Sequence, residues 1–210
     1  PVSAEVARPG TDDDGRAGQR RRQIVAVARE VFAELGYHRA SINEIIKRAD
    51  IARGTFYLYF ESKQAVFDSI LDEAMQELRA RITRVDIETP GAPPPQVQLR
   101  DNLVRIIDYV LGERTLAVIL LSPGQVPDAE AADRVVAFFA EVRALLARSL
   151  EHGIAMKLVR PCDTQLVAAS LLGAVRGAVE HCLESGDRSP TPAAIVDELL
   201  LFTLRSVLVG

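Results

Sequence analysis

The chain has 210 residues, 48% apolar and 26% charged, with a formal net charge of -4. That length holds one large domain or two small ones with a substantial core, and the balance of charge excludes a molecule that is basic throughout. Its two cysteines, Cys162 and Cys182, stand in no CxxC or zinc spacing and fit a reducing cytoplasm better than a disulfide scaffold. No apolar run reaches the length of a membrane span, and no apolar signal segment opens the chain, so neither a membrane partner nor secretion is expected.

The opening PVSAEVARPGTDDDG is polar and interrupted by Pro and Gly, and residues 1–18 are expected to be a disordered tail. Over residues 20–36, Ile24, Ala28, Val31, Phe32 and Leu35 recur at spacings of three and four, the apolar face of a helix that Gly36 can end. Ser41 and Glu44 form an S-x-x-E capping box before a short second helix carrying Ile42, Ile45, Ile46 and Ala49. A third helix is expected over residues 53–60. A fourth begins near Ser62, with Phe67, Ile70, Leu71, Ala74, Leu78 and Ile82 on its buried face. The stretch ETPGAPPPQ, residues 88–96, forbids a continuous helix. Beyond it helical patterns occupy about 97–112, 115–121, 128–152, 163–185 and 191–208, punctuated by Pro123, Pro127, Pro161, Pro190 and Pro192. No segment alternates as a strand does, so the fold class is all-α.

Charge is unevenly spread. Residues 16–64 carry ten Lys and Arg against five acids, about +5, which leaves about -9 on the rest. A basic segment on an acidic body points to a polyanion contact at one end. Within it, two short helices separated by a few residues suit a helix-turn-helix, whose second helix enters the major groove of DNA. At 100° per residue, Phe56 and Phe60 share one face and are assigned to the core. Tyr57 faces outward and Tyr59 stands at the border. Arg53 can reach guanine O6 and N7; Gly54 has no side chain to hold the backbone away; Thr55 and Tyr57 can meet phosphates or a thymine methyl. Ser41 and Asn43 open the preceding helix, and Lys63 opens the fourth, where it either neutralises a phosphate or is a solvated surface lysine. Arg20, Arg21 and Arg22 either reach an adjacent minor groove from a flexible arm or simply begin a soluble helix.

The segment IVAVAREVFAELGYHRASINEIIKRADIARGTFYLYFESKQAVFDSIL resembles the DNA-binding domain of TetR-type bacterial transcriptional regulators. The resemblance covers about residues 20–71 and rests on F-x-x-x-G-Y, S-I-N-E-I and R-G-T-F-Y-L-Y-F-E-S-K together. It implies DNA contacts from Ser41, Asn43, Arg53, Gly54, Thr55, Tyr57, Tyr59 and Lys63. It further implies a helical C-terminal half that dimerises through its last long helices and binds a small molecule. The domains expected are a helix-turn-helix unit over 19–64 and a helical ligand-binding and dimerisation unit over 65–210. Three residues depart from the family pattern: Asp50 where the turn usually has Gly, Ala52 where a Ser or Thr often caps the recognition helix, and Ile46 in place of a customary Ala.

In the C-terminal half, Ala169, Gly173 and Gly177 fall at i, i+4 and i+8, so that two backbones can approach closely, and Leu199, Leu200, Phe202, Thr203 and Ser206 can complete a four-helix dimer seam. The alternative is small residues packing within one subunit. A pocket between the middle helices is implied by the resemblance, with Tyr109, Phe138, Phe139, Val142, Arg143, Arg176 and His181 as candidate lining. Arg176 and His181 either face it or pair with Glu180 and Glu184 on the surface.

The expected function is a dimeric DNA-binding transcriptional regulator, a repressor released from a palindromic operator by a small molecule. A helical protein-interaction module is the alternative. Catalysis is not expected: the three histidines are scattered, and no GxSxG, phosphate loop or metal spacing is present, so neither cofactor nor metal is foreseen.

Overall fold

The computed structural model describes residues 11–121, 129–186 and 189–203. Among them the chain forms nine helices and no strand: α1 (Thr11–Arg39), α2 (Ile42–Arg48), α3 (Arg53–Tyr59), α4 (Lys63–Arg81), α5 (Pro95–Gly112), α6 (Arg114–Leu121), α7 (Ala129–Ala155), α8 (Thr164–Ser185) and α9 (Pro192–Thr203). The all-α reading holds.

The helix foreseen from residue 20 begins at Thr11, so residues 11–18 are not the disordered tail expected of them. Gly15 and Gly18 weaken a helix by roughly 0.5–1 kcal/mol each relative to Ala but do not end it. At its far end Gly36 (φ 74°, ψ 154°) breaks the helical path in a backbone region open to glycine alone. The chain then turns Tyr37 back into the core. Phe32, Tyr37 and Phe67 meet there, with ring centroids 5.4, 5.7 and 4.9 Å apart, Phe67 edge-on to both others.

Ser62 caps α4 by accepting a hydrogen bond from the Ala65 amide, and Val66, Phe67, Ile70, Leu71 and Ala74 line its buried face. Ile82 does not continue that face. The helix stops at Arg81, and Ile82, extended and 41% exposed, follows it. The core around α1–α4 does not close at residue 64: Tyr109, Leu116, Ile119 and Phe138 belong to the same apolar cluster as Phe32 and Phe67. Polar ties follow the same route. Arg29 of α1 binds both Glu73 of α4 and Glu113 at 3.2 Å, and Arg134 of α7 binds Asp68 of α4 at 2.6 Å.

In the remainder α7 packs along α8, α5 along α9, and α6 against α1. Arg100 holds Asp197 through Nε and Nη2 at 2.6 and 2.9 Å, joining α5 to α9 and keeping the Asp197 carboxyl below its ordinary range. By length and composition α8 can span a membrane, contrary to the reading that no segment does. Its most apolar 18-residue stretch holds no more than two charged residues, and its mean hydropathy reaches 1.4.

Candidate nucleic-acid interface

The face of interest is built by α2, the turn after it, and α3. Ser41 caps α2 by accepting from the Glu44 amide at 3.2 Å. The second half of the capping box does not form. Glu44 instead pairs with Arg48, which also binds Glu34, and the hydrogen bond from Arg48 lowers the carboxyl pKa of Glu44. This fastens α2 to α1.

The turn closes with the Ile51 amide on the Ile46 carbonyl and the Asp50 amide on the Lys47 carbonyl, both 3.3 Å. That double bond pattern requires a left-handed residue between helix and loop, and Asp50 supplies it at φ 49°. Aspartate tolerates this conformation better than most residues, so the turn keeps its shape without glycine. Ala52 gives α3 no side-chain cap.

Phe56 and Phe60 are buried at 0% and 4% exposure, as their shared face requires, and Tyr59 packs half-buried beside them. Outward stand Arg53, Gly54, Tyr57 and, flanking them, Thr55 in part. Arg53 donates to the Asn43 Oδ1 at 3.3 Å and lies 5.7 Å from the Tyr57 ring centroid, so the opening of α2 and the face of α3 form one surface. Nothing lies within 4 Å of a Cβ built at Gly54. Its glycine is therefore not demanded by packing inside the chain. Gly54→Leu is expected to leave the unfolding temperature level or raised, through better helix propensity, while weakening any DNA complex by at least about tenfold through the blocked approach. Denaturation and anisotropy titrations measure the two effects separately.

Two expectations change. Arg20, Arg21 and Arg22 sit on a helix, not a flexible arm; Arg21 is tied to Glu73 and Ser69 of α4 and lies over the Phe60 ring. Lys63 turns inward, donating to the carbonyls of Tyr37 and Ala40 at 2.7 and 3.2 Å. Those acceptors are left over by the break after Gly36, and a cation suits the end of a helix. One further residue stands on the outward side of α3, as its place on the helix requires. Leu58, 81% exposed on α3, touches no core and can meet a thymine methyl.

The C-terminal candidates separate. Phe139, Arg143 and Arg176 line a cleft of about 440 Å³ between α7 and α8, and so do Ala169 and Gly173, which were assigned to a dimer seam. Tyr109 and Phe138 are instead in the core and Val142 packs against it. His181 is exposed, on the opposite side of α8 from the buried Val179 and Cys182, with Ser185 Oγ 3.4 Å from its ring. Gly177 is exposed and Leu199 half-buried; the side chain of Phe202 and all of Ser206 lie outside the described residues.

Residues 24–70 match the model of a family described as bacterial regulatory proteins, tetR family. The chain is similar to the A-factor receptor protein of Streptomyces griseus, with 40% identity over 78 residues, 37% of this chain and 26% of that one. Its fold is similar to TylP, a TetR regulator from Streptomyces fradiae (TM-score 0.72, 28% identity, 93% of this chain and 89% of that one). It is likewise similar to the transcriptional regulator FadR from Bacillus subtilis in complex with stearoyl-CoA (TM-score 0.71, 21% identity, 87% and 96%). The chain spans 26% to 48% of the length of three curated relatives that it matches.

Proposed function

Taking the chain for what its N-terminal domain and its fold make it, a member of the TetR family of bacterial transcriptional regulators, we propose that it is a dimeric repressor. Each copy places α3 in a major groove of a palindromic operator, and a small molecule bound among the C-terminal helices releases it. The observation that carries the DNA half is the outward face of α2 and α3. Arg53 contacts both Asn43 and Tyr57 there, beside a glycine that packing does not need.

The exposed face of α8 supports the dimer. Among the described residues α8 is the one helix long and apolar enough to cross a membrane, and only 17% of its apolar window is buried. Leu166 is 65% exposed, and Ala169, Gly173 and Gly177 are open beside it; Leu201 of α9 is 53% exposed. A second copy laid on α8 and α9 covers this surface, and its small residues admit close backbone approach. An isologous pair presents its two α3 helices about 34–36 Å apart or a further turn away, hence the palindrome.

The effector half rests on the relatives: one is named a receptor for A-factor, another was crystallised with stearoyl-CoA. Release is a shift of population. Reversing a 99:1 preference for the DNA-binding arrangement takes roughly 5.5 kcal/mol of differential ligand binding. Selection of random duplexes by the full chain, followed by sedimentation of the selected complex, tests the whole reading. A two-fold symmetric consensus bound by two chains is the expected result. A pool without consensus, or one chain on an asymmetric site, overturns it.

A further inference from the structure

Resting on the reading of a DNA-binding regulator, we propose that α1 makes a second contact with the duplex. Arg16 and Arg20 hold backbone phosphates that flank the base pairs met by α3. This contact lies outside the major groove and reads no bases.

α2 is fastened to α1 at two levels: Arg48 binds Glu34 at 2.6 Å, and Gln23 donates to the Ala49 carbonyl at 2.9 Å. Ala49 is the C-cap of α2 and precedes Asp50 of the turn. The part of α1 before Gln23 therefore runs on past the end of α2. It begins at Thr11, roughly 18 Å before Gln23 along the helix axis. One side of this overhang is taken, since Arg21 binds Glu73 and Ser69 of α4 and lies over the Phe60 ring. Another side carries Arg16, Gln19, Arg20 and Gln23, spaced three and four apart and all exposed. At about 100° per residue, Arg16 and Arg20 stand roughly 40° apart, and Gln23 shares their side. The row thus starts at the turn and runs outward from it.

Arg20 donates to the Gln23 Oε1 at 2.7 Å, so Gln23 relays it to the Ala49 carbonyl and holds a guanidinium beside the turn. The guanidinium keeps further N–H groups for a phosphate. Neither Arg16 nor Arg20 has a carboxylate partner among the described residues. Charge along this side of α1 changes sign twice. Asp12, Asp13 and Asp14 precede the arginines, and Glu30 and Glu34 follow Gln23. A phosphate is drawn to the stretch between them and repelled at either end, which confines the contact to Arg16–Gln23. The row is continuous with the α2–α3 face, and a duplex seated on that face brings a charged backbone beside it. Such contacts fix the register of a protein on DNA and carry no sequence themselves.

The test is anisotropy titration of the full chain over a range of salt, on the selected operator and on a duplex of scrambled sequence. Arg16→Gln and Arg20→Gln are each expected to make the logarithmic salt dependence shallower by about 0.9, and the pair by about 1.8. Lines that differ by about 0.9 in slope and meet near 1 M salt part by roughly eightfold near 0.1 M, the loss of affinity expected of each. The loss appears on both duplexes, and selection with the double variant returns the parent's consensus. Arg148→Gln, which removes the same charge from an exposed place on α7, leaves the slope at the parent's value. Glutamine matches arginine as a helix former, so circular dichroism melts of all variants should overlay the parent's. Parental slopes in both α1 variants, an equal change in Arg148→Gln, or an altered consensus overturns the proposal alone and leaves the operator standing. A parent chain that binds neither duplex overturns it together with the reading it rests on.

Discussion

Replacing Arg53 and Tyr57 together by alanine removes sequence-specific DNA binding and leaves the protein folded. That is the expected result of the outward face they form. Neither side chain is part of the core: Arg53 is exposed and Tyr57 is 43% exposed. The Arg53–Tyr57 stacking contributes about 0.5–1 kcal/mol at such a site. Tyr57 also meets the Phe56 ring edge-on at 5.4 Å, a contact of about 0.5–1.5 kcal/mol, so a small fall in unfolding temperature belongs to the expectation. Against this, a bidentate arginine contact to guanine carries about 1–3 kcal/mol of discrimination, and the tyrosine contact adds to it. Specific affinity should fall by a factor of about 100 or more. Anisotropy titration on the selected operator, with a circular dichroism melt beside it, reads both quantities. Unchanged affinity, or loss of affinity only in step with unfolding, sinks the assignment of this face to DNA.

The residue next to Tyr57 should behave in the opposite way. Phe56 is fully buried, with Phe60 at 6.1 Å between ring centroids. Truncating a buried phenylalanine to alanine costs about 3–5 kcal/mol, a large share of the roughly 5–15 kcal/mol that holds a domain together. Phe56→Ala is therefore expected to unfold at much lower urea concentration and to lose DNA binding through the loss of the fold. Phe56→Leu, which refills most of the volume, should restore both in part. A Phe56→Ala protein that unfolds like the parent would mean that inward and outward faces of α3 have been exchanged.

The two faces of α3 were legible in the sequence because a seven-residue helix leaves little freedom. Once Phe56 and Phe60 are packed, Tyr57 has nowhere to go but out. The turn was legible for a similar reason, since Asp50 is among the few residues able to stand where a glycine is usual. Lys63 was not, because its position depends on carbonyls exposed by a helix break 27 residues earlier, and no local pattern records that. Nor was the division of Arg143 and Arg176 from Tyr109 and Phe138. All four sit on helices with apolar stripes, and which stripe meets the core is decided by neighbours far along the chain. Ala169 and Gly173 show the ambiguity most plainly, since a small residue marks close approach without saying of what.

The inward turn of Lys63 and the ties of Arg21, Arg29 and Arg48 to carboxylates bear on how ionic strength should act. Ten cations between residues 16 and 64 suggest a steep loss of DNA affinity with salt. Four of them already satisfy groups within the protein and have few counterions to displace from a duplex. Arg16, Arg20, Arg22, Arg39, Lys47 and Arg53 have no carboxylate partner among the described residues and remain available. With a slope of about -0.9 per neutralised phosphate, the logarithm of affinity against that of salt should fall at most about six-tenths as steeply as the sequence charge implies.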